Sequence, residues 1–120
     1  MRVDVFRFEN LEIWKDAIAV SIKLFDIADL AAEKKLFRFS EQLNGAALSI
    51  SNNIAEGSGA YSKKEFAQFL NFPRRSVFEC ANIVGILNIK GLLKNEEKEK
   101  IYEELMVLNK RIATFRKTLL

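Results

Sequence analysis

Apolar residues recur at helical spacing along almost the whole chain, in four blocks divided by polar or glycine-containing connections. From Leu11 to about Asp29, Leu11, Trp14, Ile18, Ile22 and Phe25 form one face at i, i+3, i+4 spacing. A second series, Ile13, Ala17, Val20, Leu24 and Ile27, follows the same spacing on an adjoining face. One amphipathic stripe suffices for a helix in a small bundle. The second is therefore surplus, and Ile13, Val20, Leu24 and Ile27 are expected to meet another subunit. Trp14 is expected to be largely buried.

The second block runs from about Leu36 to Glu56, marked by Phe39, Leu43, Ala46 or Ala47, Ile50 and Ile54. Small and polar residues interrupt it. Gly45 in its interior costs about 1 kcal/mol against alanine, which implies close approach of another backbone. The third block, from Lys63 to about Lys90, carries Phe66, Phe69 or Leu70, Pro73, Val77, Cys80, Val84 and Leu87 in a near-heptad row. Pro73 lies well inside, so a kink is expected near Phe69–Pro73. Gly91 ends this helix and Asn95 is the expected N-cap of the last. There Ile101, Leu105, Leu108, Ile112, Phe115 and Leu119 make a coiled-coil-like seam. No strand pattern competes. The pattern predicts an all-α, up-down-up-down antiparallel four-helix bundle, as a single domain over residues 1–120.

The corner between the second and third blocks is the most structured stretch of sequence. Gly57 suits a left-handed position just past a helix end. Ser62 with Glu65 has capping-box spacing. Asn53, one turn before the corner, is placed to hydrogen-bond loop amides, and Glu56 to help tie the loop down.

Composition narrows the chemistry. The chain has 120 residues and no histidine, which removes the commonest general base and nitrogen metal ligand. Glu41, Glu56, Glu79 and Glu103 lack the Glu-x-x-His motif of a carboxylate-bridged metal site. Glu56 and Asn53 have no nucleophile or second acid to act with. No catalytic residue, cofactor or metal ligand is assigned, and an enzyme is not expected. The lone Cys80 falls on an apolar row and suits a reducing cytoplasm. The N-terminus carries acids and no apolar core of a signal peptide, and no stretch is long enough to span a membrane. Residues 1–60 hold seven Lys/Arg against nine Asp/Glu, a net −2; residues 61–120 hold twelve against seven, a net +5. Lys63, Lys64, Arg74 and Arg75 offer a basic band beside the corner, with Tyr61 as a stacking ring. Lys110, Arg111, Arg116 and Lys117 form a second band that reads mainly as a solvated face.

Several motifs together carry a family resemblance. Leu11-Glu-Ile-Trp14-Lys, Gln42-Leu43, Ala46-Ala47-Leu48-Ser49-Ile50, Asn53-Ile-Ala-Glu56-Gly57, Ser62-Lys-Lys-Glu-Phe66 and Phe69-Leu70 occur in order, with Arg74, Ser76 and Glu79 following. In these the chain resembles the four-helix-bundle proteins encoded by intervening sequences of bacterial 23S ribosomal RNA genes. That family is in turn similar to the accessory variability protein of diversity-generating retroelements, a pentameric barrel that associates with nucleic acid and a reverse transcriptase. The resemblance implies a homopentamer and association with RNA, and it implies no activity. The chain departs from the family pattern in Asn44-Gly45, where a basic pair is usual, in Ser51, where a proline is usual, and in Pro73-Arg74-Arg75. Loss of the basic pair weakens an RNA site on the second helix, whereas Arg75 moves positive charge to the third.

Two readings stand at this point. One is a non-catalytic, cytoplasmic, homo-oligomeric module that binds RNA or an RNA-handling protein through its basic surface. The other is a purely protein-binding scaffold without a nucleic-acid role. Phe37, Leu48, Phe72 and Phe78 lie off the best apolar rows and add to the surplus that argues for assembly.

Overall fold

The computed structural model describes residues 6–120; Val3 and Val5, which the sequence offers as apolar docking residues, lie outside them. A short 3₁₀ turn at Arg7–Asn10 leads into α1 (Glu12–Glu33). Then come α2 (Phe37–Ser58), α3 (Lys63–Phe69), α4 (Asn71–Ile89) and α5 (Asn95–Lys117). The α3 and α4 segments together form the third rod of an all-α, up-down-up-down four-helix bundle. Each rod packs on its sequence neighbours, and α5 closes the ring against α1. Among the described residues there is no strand, and no helix is long and apolar enough to cross a membrane.

The core comes from the expected rows of the last three rods. Leu43, Ala46, Ala47, Ile50 and Ile54 of α2 are buried, as are Val77, Cys80, Val84 and Leu87 of α4 and Ile101, Leu105, Leu108 and Ile112 of α5. In α1 the two stripes exchange roles. Ile13, Val20 and Leu24 are buried in the chain's own core, and Ile27 packs partly against it. They therefore do not form the subunit interface expected of them. Trp14 and Phe25, like Ile27, are partly buried and pack against the same core, whereas Ile22 is 55% exposed. The reason is steric. Ala17, Ala28 and Ala31 on the inner stripe and Ala46 and Ala47 of α2 are all buried, and Ser21 donates its hydroxyl to the Ala47 carbonyl at 3.4 Å. Small residues bring the two rods close, and the bulky Trp14 and Phe25 remain at the rim, Trp14 against Phe8 with ring centroids 5.0 Å apart.

The helix ends explain the connections. Lys35 has φ +63°, and the next N–H, of Leu36, reaches back to the Ala31 carbonyl at 2.9 Å. This is a left-handed helix stop made without glycine, which hid it from the sequence. Gly91 makes the same stop at φ +87°, with Leu92 N–H on the Leu87 carbonyl at 2.9 Å. Asn95 is the first residue of α5, not its cap. The Lys94 N–H donates to the Glu97 carboxylate at 3.0 Å, and the Asn95 side-chain oxygen accepts from Asn88. The expected kink appears as a one-residue interruption at Leu70. Pro73 has no N–H to offer the Phe69 carbonyl, so the rod restarts there with Pro73 buried.

Candidate nucleic-acid interface

The corner of the bundle is built around Phe66. Its ring is 1% exposed, lies edge-on to Phe115 at 5.5 Å and carries the Arg7 guanidinium 5.1 Å above its centroid. Gly57 lies beneath it. A Cβ on Gly57 would stand 2.8 Å from Phe66 Cδ1 and from Phe69 Cβ. The glycine is thus required by the approach of α3 onto α2. The left-handed role expected for it is not what it does: it is helical, and α2 runs on to Ser58. Gly45, by contrast, has nothing within 4 Å of where its Cβ would be, so no backbone approaches it within the chain.

The other corner residues divide. The Ser62 hydroxyl accepts the Glu65 N–H at 3.1 Å, the forward half of the expected box. The Glu56 side chain is exposed, and it is the Glu56 backbone carbonyl that accepts from Gly59 at 3.1 Å. Asn53 does not reach loop amides. Its amide donates one turn back to the Ser49 carbonyl at 2.8 Å and the Ser49 hydroxyl at 3.1 Å. Ser76 of α4 donates to that same hydroxyl at 2.9 Å. The result is a polar rung joining α2 to α4.

Lys63, Lys64, Arg74 and Arg75 are all exposed, on the two helices that flank Leu70. None has a carboxylate within 4.0 Å among the described residues, so Arg74 is not neutralised by Glu56 or Glu79. Tyr61, immediately before them, is fully exposed. The second basic band is more heavily engaged. Arg111 pairs with Asp16 at 2.9 Å, and Arg116 Nε donates to the Ala67 carbonyl at 2.9 Å. Arg7 and Arg116 bring the start of the bundle and the end of α5 to the α3 end of the molecule. No motif or spacing signals this gathering, because it depends on which rod ends coincide.

Cys80 is buried, and that burial, with a smaller contribution from Glu79, pushes its thiol up to about 12. A thiol so placed is a packing group. Among the described residues no cluster of three or more acidic or sulfur ligands is assembled.

Comparison with known proteins agrees with this architecture. A crystal structure of a protein with unknown function from the S23 ribosomal protein family of Bacteroides thetaiotaomicron superposes with a TM-score of 0.81 at 22% identity, covering 88% of this chain and 98% of that one. At that identity the likeness speaks for the fold. No curated protein matches the chain. The sequence matches the 23S rRNA-intervening sequence protein family over residues 9–114, and the chain belongs to that family.

Proposed function

We propose that the chain is a non-catalytic, homo-oligomeric binding module whose basic end associates with RNA. The supporting observation is the set of four exposed cations without a carboxylate partner among the described residues, Lys63, Lys64, Arg74 and Arg75, with the exposed Tyr61 just before Lys63 in the chain. Unpaired guanidinium and ammonium groups on rigid helices can contact phosphates without first giving up an internal partner. Tyr61 adds a face on which an unpaired base can stack. Five is the subunit number that the family resemblance implies, and a ring would repeat this basic end around its axis.

Titration of labelled single-stranded RNA at low and raised salt tests the reading. Replacing all four cations with glutamine should weaken binding alike for unrelated sequences. It should also flatten the salt dependence by about 0.7 in log–log slope for each phosphate that is no longer neutralised. Unchanged affinity in an oligomeric quadruple variant would show this to be the wrong surface. The rival reading, a protein-binding scaffold, draws on the exposed Phe37, Leu48, Phe78 and Ile89. It requires purified protein free of absorbance excess at 260 nm and no RNA affinity even at low salt.

A further inference from the structure

Two apolar surfaces lie on opposite hairpins of the bundle, and they differ in shape and charge. On α4–α5, a groove of about 360 Å³ runs between Phe78, Ala81 and Asn82 on one wall and Tyr102, Met106 and Asn109 on the other. Phe78 and Met106 are 57% and 54% exposed at its lip. A neighbouring cavity shares Asn82 and Tyr102 and continues the groove to Ile89, which is 84% exposed. The buried Asn109 side-chain oxygen in this groove has no hydrogen-bond partner among the described residues. Cations outnumber acids along it: Lys98 lies over the Tyr102 ring at 5.3 Å and pairs with Glu99 at 3.1 Å, exposed Arg75 and Lys110 stand one turn from Phe78 and Met106, and exposed Glu79 is next to Phe78.

On α1–α2 the apolar surface is a row of exposed side chains, here called the ridge. Ser21 bonds to Ala47 across the seam, and the next residue on each helix, Ile22 and Leu48, turns to its outer side. Exposed Phe37 continues the Leu48 row. The flanking charges are exposed Asp26, Asp29, Glu33 and Glu41 on the acidic side and exposed Lys23, paired with Glu104, and Arg38 on the basic side. The charge division seen in the sequence, net −2 before residue 61 and net +5 from there on, is therefore a division between the two hairpins.

We infer that the α4–α5 groove receives the α1–α2 ridge of a second copy of this chain, in a head-to-tail contact led by Ile22 and Leu48. This rests on the homo-oligomeric reading above and specifies its surfaces. An exposed apolar row enters a groove, a half of the chain with net negative charge meets one with net positive charge, and each chain keeps one unused face of each kind, as a closing ring requires.

The test is complementation between two variants. Ile22→Lys with Leu48→Glu spoils the ridge, and Phe78→Lys with Met106→Glu spoils the groove. All four positions are exposed, and circular dichroism verifies that each variant keeps its helical content. Each variant alone should run as a monomer by multi-angle light scattering, whereas the parent does not. An equimolar mixture should form a heterodimer through the one intact pair of faces, and raised salt should weaken it. A variant that keeps the parent's mass, or a mixture that stays monomeric, overturns the assignment while leaving an oligomeric parent intact. A monomeric parent at micromolar concentration overturns the assignment and the homo-oligomeric reading together.

Discussion

Gly45 and Gly57 both lie inside α2, and a methyl group added at each would meet opposite surroundings. At Gly57 it would press on Phe66 and Phe69 at 2.8 Å, one of them through its Cβ, which is fixed to the backbone. Gly57→Ala should cost about 1–3 kcal/mol through overpacking of the α2–α3 contact. Gly45→Ala has open space and an unstrained helical backbone, and should stabilise the chain by about 0.5–1 kcal/mol. Urea unfolding of the two variants reads both signs at once, and equal effects would refute the distinction. Cys80 gives the pH dependence at this scale. Its thiol is held neutral up to about 12 in the fold, against an ordinary value of 9.0. The unfolded chain loses that proton first. Above about pH 9 the native state binds more protons, so this group's stabilisation is intact below that pH and falls by about 1.4 kcal/mol per pH unit toward 12. The loss should be present in the parent and missing from Cys80→Ala, as measured by stability at pH 8 and pH 10.5. The native thiol should also resist alkylation at pH 8.

At the scale of elements, the third rod shows what a sequence reveals and what it hides. The heptad row from Phe66 to Leu87 was legible because an apolar group recurs every three or four residues, about once per turn, and Pro73 marked the site of the irregularity. What the row could not show is that α3 becomes a seven-residue segment with an end of its own at Leu70. So short a helix does not hold itself together. It depends on Phe66 and Ala67 buried beneath it, on Arg116 bonded to the Ala67 carbonyl, and on the Ser62 cap. Ser62→Ala should therefore cost about 1 kcal/mol. Its effect should concentrate locally, raising amide exchange over residues 63–69 while exchange in α1 and α2 is unchanged. A uniform change along the chain would mean that α3 opens only with the whole bundle. The α1–α2 stop at Lys35 was illegible for a different reason. A lysine in the left-handed region carries no compositional mark, and its cost is met by the Leu36–Ala31 bond and the packing that follows.

At the scale of the whole molecule, the fold was legible because four amphipathic blocks with short connections leave few arrangements other than an antiparallel bundle. The candidate basic band was legible only as residue types. Its lack of acidic partners among the described residues, and the arrival of Arg7 and Arg116 at the same end, come from tertiary placement. The largest misreading concerned α1, where periodicity fixes the spacing of apolar residues but does not rank two adjoining stripes. Bulk pointed to the Trp14 stripe, and close packing chose the alanine-bearing one. That exchange changes the meaning of an experiment. If Val20 and Leu24 lay between subunits, Val20→Lys with Leu24→Glu would dissociate an assembly and spare the helices. They are 4% and 0% exposed inside the chain itself. Emptying a buried leucine site costs about 2.7–5 kcal/mol, and each unpaired buried charge adds several more. Together these reach the total of about 5–15 kcal/mol that holds a domain of this size folded. The double variant should therefore lose its circular dichroism at 222 nm and its cooperative thermal transition. Ile22→Lys, on the outer stripe two residues from Val20, should keep both. Retention of helical content and a sharp transition by the Val20/Leu24 variant would mean that the inner stripe is not the core.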